Sequence, residues 1–152
     1  MPDDSRNTAT EEIDLVASGI PELDELLNGG YIRGRTYLVQ GASGTGKSLL
    51  GQHFLRAGLD SDETVVYIHG EESRHDILVN AARLDVDIRD AEFLDIGPGT
   101  DFFAEDQSYN LVEATEVESE HFTQDIRHVI EEVDPARILI DPITQLQYVE
   151  RD

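Results

Sequence analysis

Residues Tyr37-Leu-Val-Gln-Gly-Ala-Ser-Gly-Thr-Gly-Lys-Ser48 decide how the rest of the chain reads. They continue an apolar, β-rich run, Thr36 to Val39, whose composition predicts a short buried strand. Gly41 to Ser48 then match G-x-x-x-x-G-K-S/T at every position, and a helical pattern (Leu49, Leu50, His53, Phe54) follows directly. Glycine at 41, 44 and 46 lets the backbone turn through conformations a Cβ would obstruct, so successive N–H groups point at one anion. The helix that follows turns its unpaired N–H groups and positive dipole end toward the same anion. Lys47 has the reach for the β- and γ-phosphates of a nucleotide, and the Ser48 hydroxyl suits Mg²⁺. The stretch therefore predicts a phosphate-binding loop made of Gly41, Ala42, Ser43, Gly44, Thr45, Gly46, Lys47 and Ser48. The plainer reading, a glycine-rich turn that binds nothing, fits the strand–loop–helix order less well.

Lys47 is the only lysine in a chain that has ten arginines. A composition that avoids lysine elsewhere keeps one where a γ-phosphate needs a compact ammonium on a flexible stem. The same count removes two rivals. An Asn-Lys-x-Asp guanine-reading motif needs a second lysine, so ATP is favoured over GTP. Gly41-x-x-Gly44-x-Gly46 also resembles a dinucleotide loop, but the Tyr-x-x-x-Lys pair of a short-chain dehydrogenase cannot be built here.

The chain has 152 residues, enough for one domain with a substantial core. Its 33 acidic against 11 basic side chains give a formal charge of −22. Such a surface repels phosphate backbones, which makes nucleic acid an unfavourable direct partner. Excess carboxylate with arginine in place of lysine suits a very salty cytoplasm, where the Debye length falls to about 3 Å and self-repulsion is screened. An ordinary acidic protein is the alternative. There is no cysteine, hence no disulfide framework and no thiolate metal site. No apolar run is long enough to span a membrane, and Met1-Pro-Asp-Asp-Ser5 is unlike a signal peptide, so a cytoplasmic location is expected.

In chain order, residues 1–12 read as a flexible acidic tail and 13–152 as one domain. Leu23, Leu26 and Leu27 fall on one face of a short helix, with Pro21 early in it and Gly29-Gly30 ending it. The phosphate-loop helix should run from Lys47 to about Leu59. A second strand, Thr64 to His69, leads into Gly70-Glu71-Glu72-Ser73. The next helix carries Ile77, Leu78, Ala81 and Ala82 on one face, and a third strand spans Glu92 to Ile96. Thr100 to Glu120 is polar and acidic and reads as a loop excursion. A helix from Phe122 to Val133 and a fourth buried strand, Arg137 to Ile140, follow. Strands alternating with helices predict an α/β fold with a mainly parallel sheet between helical layers.

Ligands of such sheets sit beyond the carboxyl ends of the strands. Glu71, Glu72 and Asp141 all leave strands at that rim. Asp141 suits a Mg²⁺ ligand, and Glu71 or Glu72 suits a base that orients and deprotonates an attacking water; spacing does not separate the two. A turn aspartate before Pro142 and two exposed surface glutamates are the unremarkable alternatives. A metal cluster of His69, Glu71, Glu72 and His75 is disfavoured, because a strand-to-loop path scatters those groups.

Ser18-Gly-Ile-Pro-Glu-Leu-Asp-Glu-Leu-Leu27, the loop ending Gly46-Lys-Ser48, Glu71-Glu-Ser73 and Ile138-Leu-Ile-Asp141 together resemble a KaiC-type domain of the RecA superfamily of P-loop ATPases. The likeness covers about Ser18 to Gln147 and is closest in character to haloarchaeal members. It implies a three-layer RecA-like fold that holds ATP and Mg²⁺, with Lys47 and Ser48 at the phosphates and metal. It also implies Glu71 and Glu72 as the catalytic acidic pair, Asp141 at the Walker B position, and assembly into homo-oligomeric rings or filaments. The resemblance further implies a strand inserted between the phosphate-loop strand and the Walker B strand, then a polar sensor and a basic finger. The chain stops about ten residues after Asp141. It is therefore expected to be incomplete on its carboxyl side: a fragment, a chain completed by another polypeptide, or a remnant. An ATPase domain is the leading function. A nucleotide-sensing or partner-binding module without turnover is the alternative. A small phosphotransferase is disfavoured, since no arginine-rich lid is present to cover a second substrate.

Overall fold

The five residues Val65–His69 are β-branched or aromatic save the last, and all five are buried. They form the central strand of a three-stranded sheet. The computed structural model describes residues 12–97 and 123–143. In chain order the elements are β1 (Leu15–Val16), α1 (Pro21–Leu26), β2 (Tyr31–Ile32), α2 (Lys47–Asp60), β3 (Val65–His69), α3 (Arg74–Arg83) and β4 (Glu92–Asp95). Helix α4 (123–133) and strand β5 (Arg137–Asp141) complete the set. The sheet order is β4-β3-β5, and both pairings are parallel. This is the α/β architecture that alternating strands and helices predict. Among the described residues no helix is long and apolar enough to cross a membrane.

Register fixes which side chains share a face. Phe93, Tyr67 and Leu139 lie abreast, and one step on Asp95, His69 and Asp141 do the same. Helix α2 covers that face. A Cβ on Gly51 would meet the Leu139 side chain at 2.5 Å, and one on Gly58 would meet Arg137 Cδ at 2.7 Å and Val65 Cγ1 at 2.8 Å. The two glycines thus let the helix lie close against the sheet. Leu55 packs with Val65, Tyr67, Ile77, Ala81, Val86, Ile88 and Ala91 in one apolar core. Ser73 caps α3, its hydroxyl accepting from the Asp76 N–H at 3.1 Å.

Three expectations need correction. Thr36 to Val39 is not a buried strand: it joins no ladder, and Tyr37, Leu38 and Val39 are 45%, 63% and 45% exposed. A strand requires a neighbour, and among the described residues β5 pairs with β3 alone. For the same reason β5 is half-buried rather than buried. In α1, Leu23 and Leu27 are half-buried but Leu26 is exposed, because the helix ends after six residues and has only one covered flank. The small antiparallel pair Leu15–Ile32 and Val16–Tyr31 was not foreseen, being too short for any periodicity. The expected tail up to residue 11 and the 100–120 excursion lie outside the described residues.

Candidate functional site

The glycine-rich loop folds as its composition demands. Gly44 and Gly46 have φ of 78° and 96°, in the left-handed region where a side chain is strained. Gly46 is the N-cap of α2, and no acidic residue occupies the first helical turn. The helix N-terminus therefore keeps its positive end for an anion. A Cβ on Gly41 would meet Thr45 Oγ1 at 2.8 Å, so a larger residue there would have to displace the Thr45 hydroxyl from its place in the loop. Thr45 Oγ1 donates to the Ala42 carbonyl at 2.7 Å. Lys47 Nζ donates to the Gly41 and Ala42 carbonyls, both at 2.8 Å, and so lies folded over the loop. Ser43 and Ser48 are exposed at its rim.

Contacts along α2 set where this loop sits. From Gly51 to Gly58 the helix passes from Leu139 back to Arg137, so it runs antiparallel to β5. Its amino end, with Lys47 and Ser48, accordingly points toward the carboxyl end of β5, where Asp141 stands. Cross-strand register sets His69 beside Asp141, and Glu71 and Glu72 follow His69 within three residues. The loop, the acidic pair and Asp141 thus share one end of the sheet. Glu71 and Glu72 are exposed. The His69 ring, 2% exposed, holds the turn between them and the strand: Nδ1 lies 2.8 Å from the Glu72 carbonyl and donates to it. His75 is exposed in α3, so His69 and His75 are not drawn together as a metal cluster.

Sequence reasoning missed Tyr67. Its phenol donates to Asp141 Oδ2 at 3.1 Å, and Gln52 of α2 lies near the phenol. Burial first, and then the Asp141 charge, push the phenol above its ordinary range, so it stays a protonated donor. The available signal was Tyr67 and His69 sharing one face of an otherwise aliphatic strand.

The residues fit a magnesium nucleotide on the observations above: a loop turned at two left-handed glycines, a helix amino end free of acid, and a held carboxylate at the same edge. Comparison with known proteins decides the family. The family model described as "ATPase: KaiC" matches residues 16–152. The chain belongs to this KaiC ATPase family. A UPF0273 protein of Pyrococcus furiosus is 30% identical over 138 residues, covering 86% of this chain and 55% of that protein. The circadian clock oscillator protein KaiC 1 of Synechocystis is 30% identical over 131 residues, covering 86% of this chain and 23% of its own length. The KaiC of Picosynechococcus is 42% identical over 82 residues, 53% of this chain and 16% of that protein. The KaiC-family chain thus spans about half the length of the UPF0273 protein it matches, and less of the clock proteins.

Proposed function

We propose that this KaiC-family chain binds ATP with Mg²⁺ and carries the groups for its hydrolysis that act within one subunit. In this reading Gly41 to Lys47 cradle the phosphates, Ser48 and Asp141 hold the metal, and Glu71 or Glu72 positions and deprotonates water. What supports it most directly is the antiparallel run of α2 along β5, which brings Lys47 and Ser48 to the edge where Asp141 stands. Magnesium would offset charge on the β- and γ-phosphate oxygens. In this reading a neighbouring subunit supplies an arginine to the site from outside. Such an arginine is worth about 10³ to 10⁵ in rate at phosphoryl-transfer sites. Homo-oligomers with ATP between neighbours suit that requirement. The charge of −22 with one lysine further supports a salt-rich cytoplasm of haloarchaeal type as the working environment.

A second reading, a nucleotide-responsive module without turnover, is favoured by the unpaired, exposed segment Tyr37 to Val39 that leads into the loop. Phosphate release separates the two. Tight ATP binding without release supports the module; steady release supports the enzyme. Binding itself is tested by heating the chain in high salt with Mg-ATP. At a hundredfold excess over the dissociation constant the nucleotide should add about 2.7 kcal/mol. Lys47→Ala should remove most of that gain. If the parent and Lys47→Ala respond alike, the cradle assignment is wrong.

A further inference from the structure

Tyr67 is 1% exposed at the middle of the central strand, a position at which an aliphatic side chain would serve the core equally well. A buried phenol has to spend its hydroxyl on a partner. Here the hydroxyl lies between two elements. It donates to Asp141 Oδ2 on β5, and Gln52 of α2, itself only 5% exposed, lies near it. Gln52 stands four residues beyond Ser48, on the same face of α2 and one turn along. One phenol therefore connects the helix that presents Ser48 to the carboxylate of Asp141. The ring has little freedom to shift. It stacks on Phe93 with centroids 5.5 Å apart and planes inclined by 17°, and His69 packs edge-on at 6.0 Å.

We propose that Tyr67 is the positioning residue of the magnesium-nucleotide site, fixing the Asp141 carboxylate relative to the helix that carries Ser48. This rests on the reading that Asp141 and Ser48 hold the metal. With Oδ2 held by the phenol, Asp141 would be left its other oxygen, Oδ1, to offer a metal. Without the phenol, Asp141 rotates freely and each metal encounter has to order it again. Partners of this kind, which orient a ligand without touching the metal, are typically worth 10–100-fold in metal affinity. Tyr67 would affect the metal and leave the phosphate cradle alone, because Gly41 to Lys47 make their contacts without it.

The test titrates ATP into the full chain, first with EDTA and then across a Mg²⁺ series, for the parent, Tyr67→Phe, Asp141→Asn and Phe93→Leu. Tyr67→Phe keeps the ring and its stacking. It should leave metal-free ATP affinity within about twofold of the parent, while the Mg²⁺ needed for half of the affinity gain rises by about 10-fold. Asp141→Asn should abolish the gain. Phe93→Leu, which removes the stacking that holds the Tyr67 ring, should lower the melting temperature and raise the Mg²⁺ midpoint by less than Tyr67→Phe does. If Tyr67→Phe melts too low to titrate, Gln52→Met carries the same expectation in weaker form. A parent-like Mg²⁺ midpoint in Tyr67→Phe, with Asp141→Asn impaired, would overturn the positioning role and leave the nucleotide reading intact. A parent chain whose ATP affinity ignores Mg²⁺ would overturn both.

Discussion

Arg137 carries more of the fold than any residue of the phosphate loop. Its side chain is 3% exposed, and its guanidinium spends its donors in three directions. Nη1 donates to the Ala17 carbonyl at 2.6 Å and the Phe54 carbonyl at 2.8 Å. Nε and Nη2 donate to Glu63 Oε1 at 3.2 and 2.9 Å. The same group lies 4.8 Å from the Phe54 ring centroid. It thereby ties the segment before α1, the middle of α2, the turn before β3 and the start of β5 at a single point. A buried charge has to be matched in this way, because the desolvation of guanidinium and carboxylate is recovered only when every donor finds an acceptor. Arg137→Met should therefore cost about 3 kcal/mol, near the low end for a broken buried pair, since Glu63 keeps Arg33 as a partner at 3.3 Å. Arg137→Lys should recover only part of this, because an ammonium lacks the planar fork that serves both carbonyls and the carboxylate. Urea denaturation reads both variants, and an unchanged midpoint in Arg137→Met would show that the network is dispensable.

At the scale of elements, the sequence was readable wherever burial imposes a period. Helix α2 begins at Lys47 as the motif requires, β3, β4 and β5 fall within about a residue of the runs that predict them, and α3 (Arg74–Arg83) encloses its apolar positions Ile77 to Ala82. The segment Thr36 to Val39 shows the limit. Its composition reports an affinity for burial in a sheet, but pairing depends on which strand stands beside it, and no local pattern carries that. Tyr67 escaped for a related reason: it reads as a β-former, and the partner that gives its hydroxyl a purpose is 74 residues away. Strand β5 shows one paired edge among the described residues, and Ile138 on it is 37% exposed, as is much of Tyr37 to Val39. Unpaired N–H and C=O groups beside apolar side chains recruit other strands. Sedimentation at rising concentration should show self-association, and Ile138→Lys should reduce it without changing ATP affinity, since a charge on an edge strand opposes pairing. Association unaffected by Ile138→Lys would place the contact elsewhere on the molecule.

Across the whole molecule, a charge of −22 on 152 residues opposes both folding and that association. Apart from the buried Arg137–Glu63 pair, the described pairs Arg33–Asp14, Arg56–Asp60 and Arg89–Asp87 offset little of it: they lie at the surface, where such pairs contribute about 0–1 kcal/mol each. Most carboxylates therefore repel one another through solvent, and the reach of that repulsion is the Debye length. This length is about 10 Å at 0.1 M salt and about 3 Å at 1 M. Exchanging molar KCl for about 0.1 M should thus lower the thermal midpoint and, at the limit, cost helical circular dichroism. The shape of the curve identifies the cause. Screening gives a steep rise at low salt that levels off once the Debye length is shorter than the spacing between charges. Preferential exclusion of salt from the surface gives a rise that continues beyond 1 M. Self-association should follow the same curve, strengthening as repulsion is screened, so β5 pairing in the Ile138 parent would be weakest where the fold is weakest. A midpoint indifferent to KCl from 0.1 to 1 M would mean that the carboxylates are too far apart to act on one another, and the acidic surface would then need a cause other than salt.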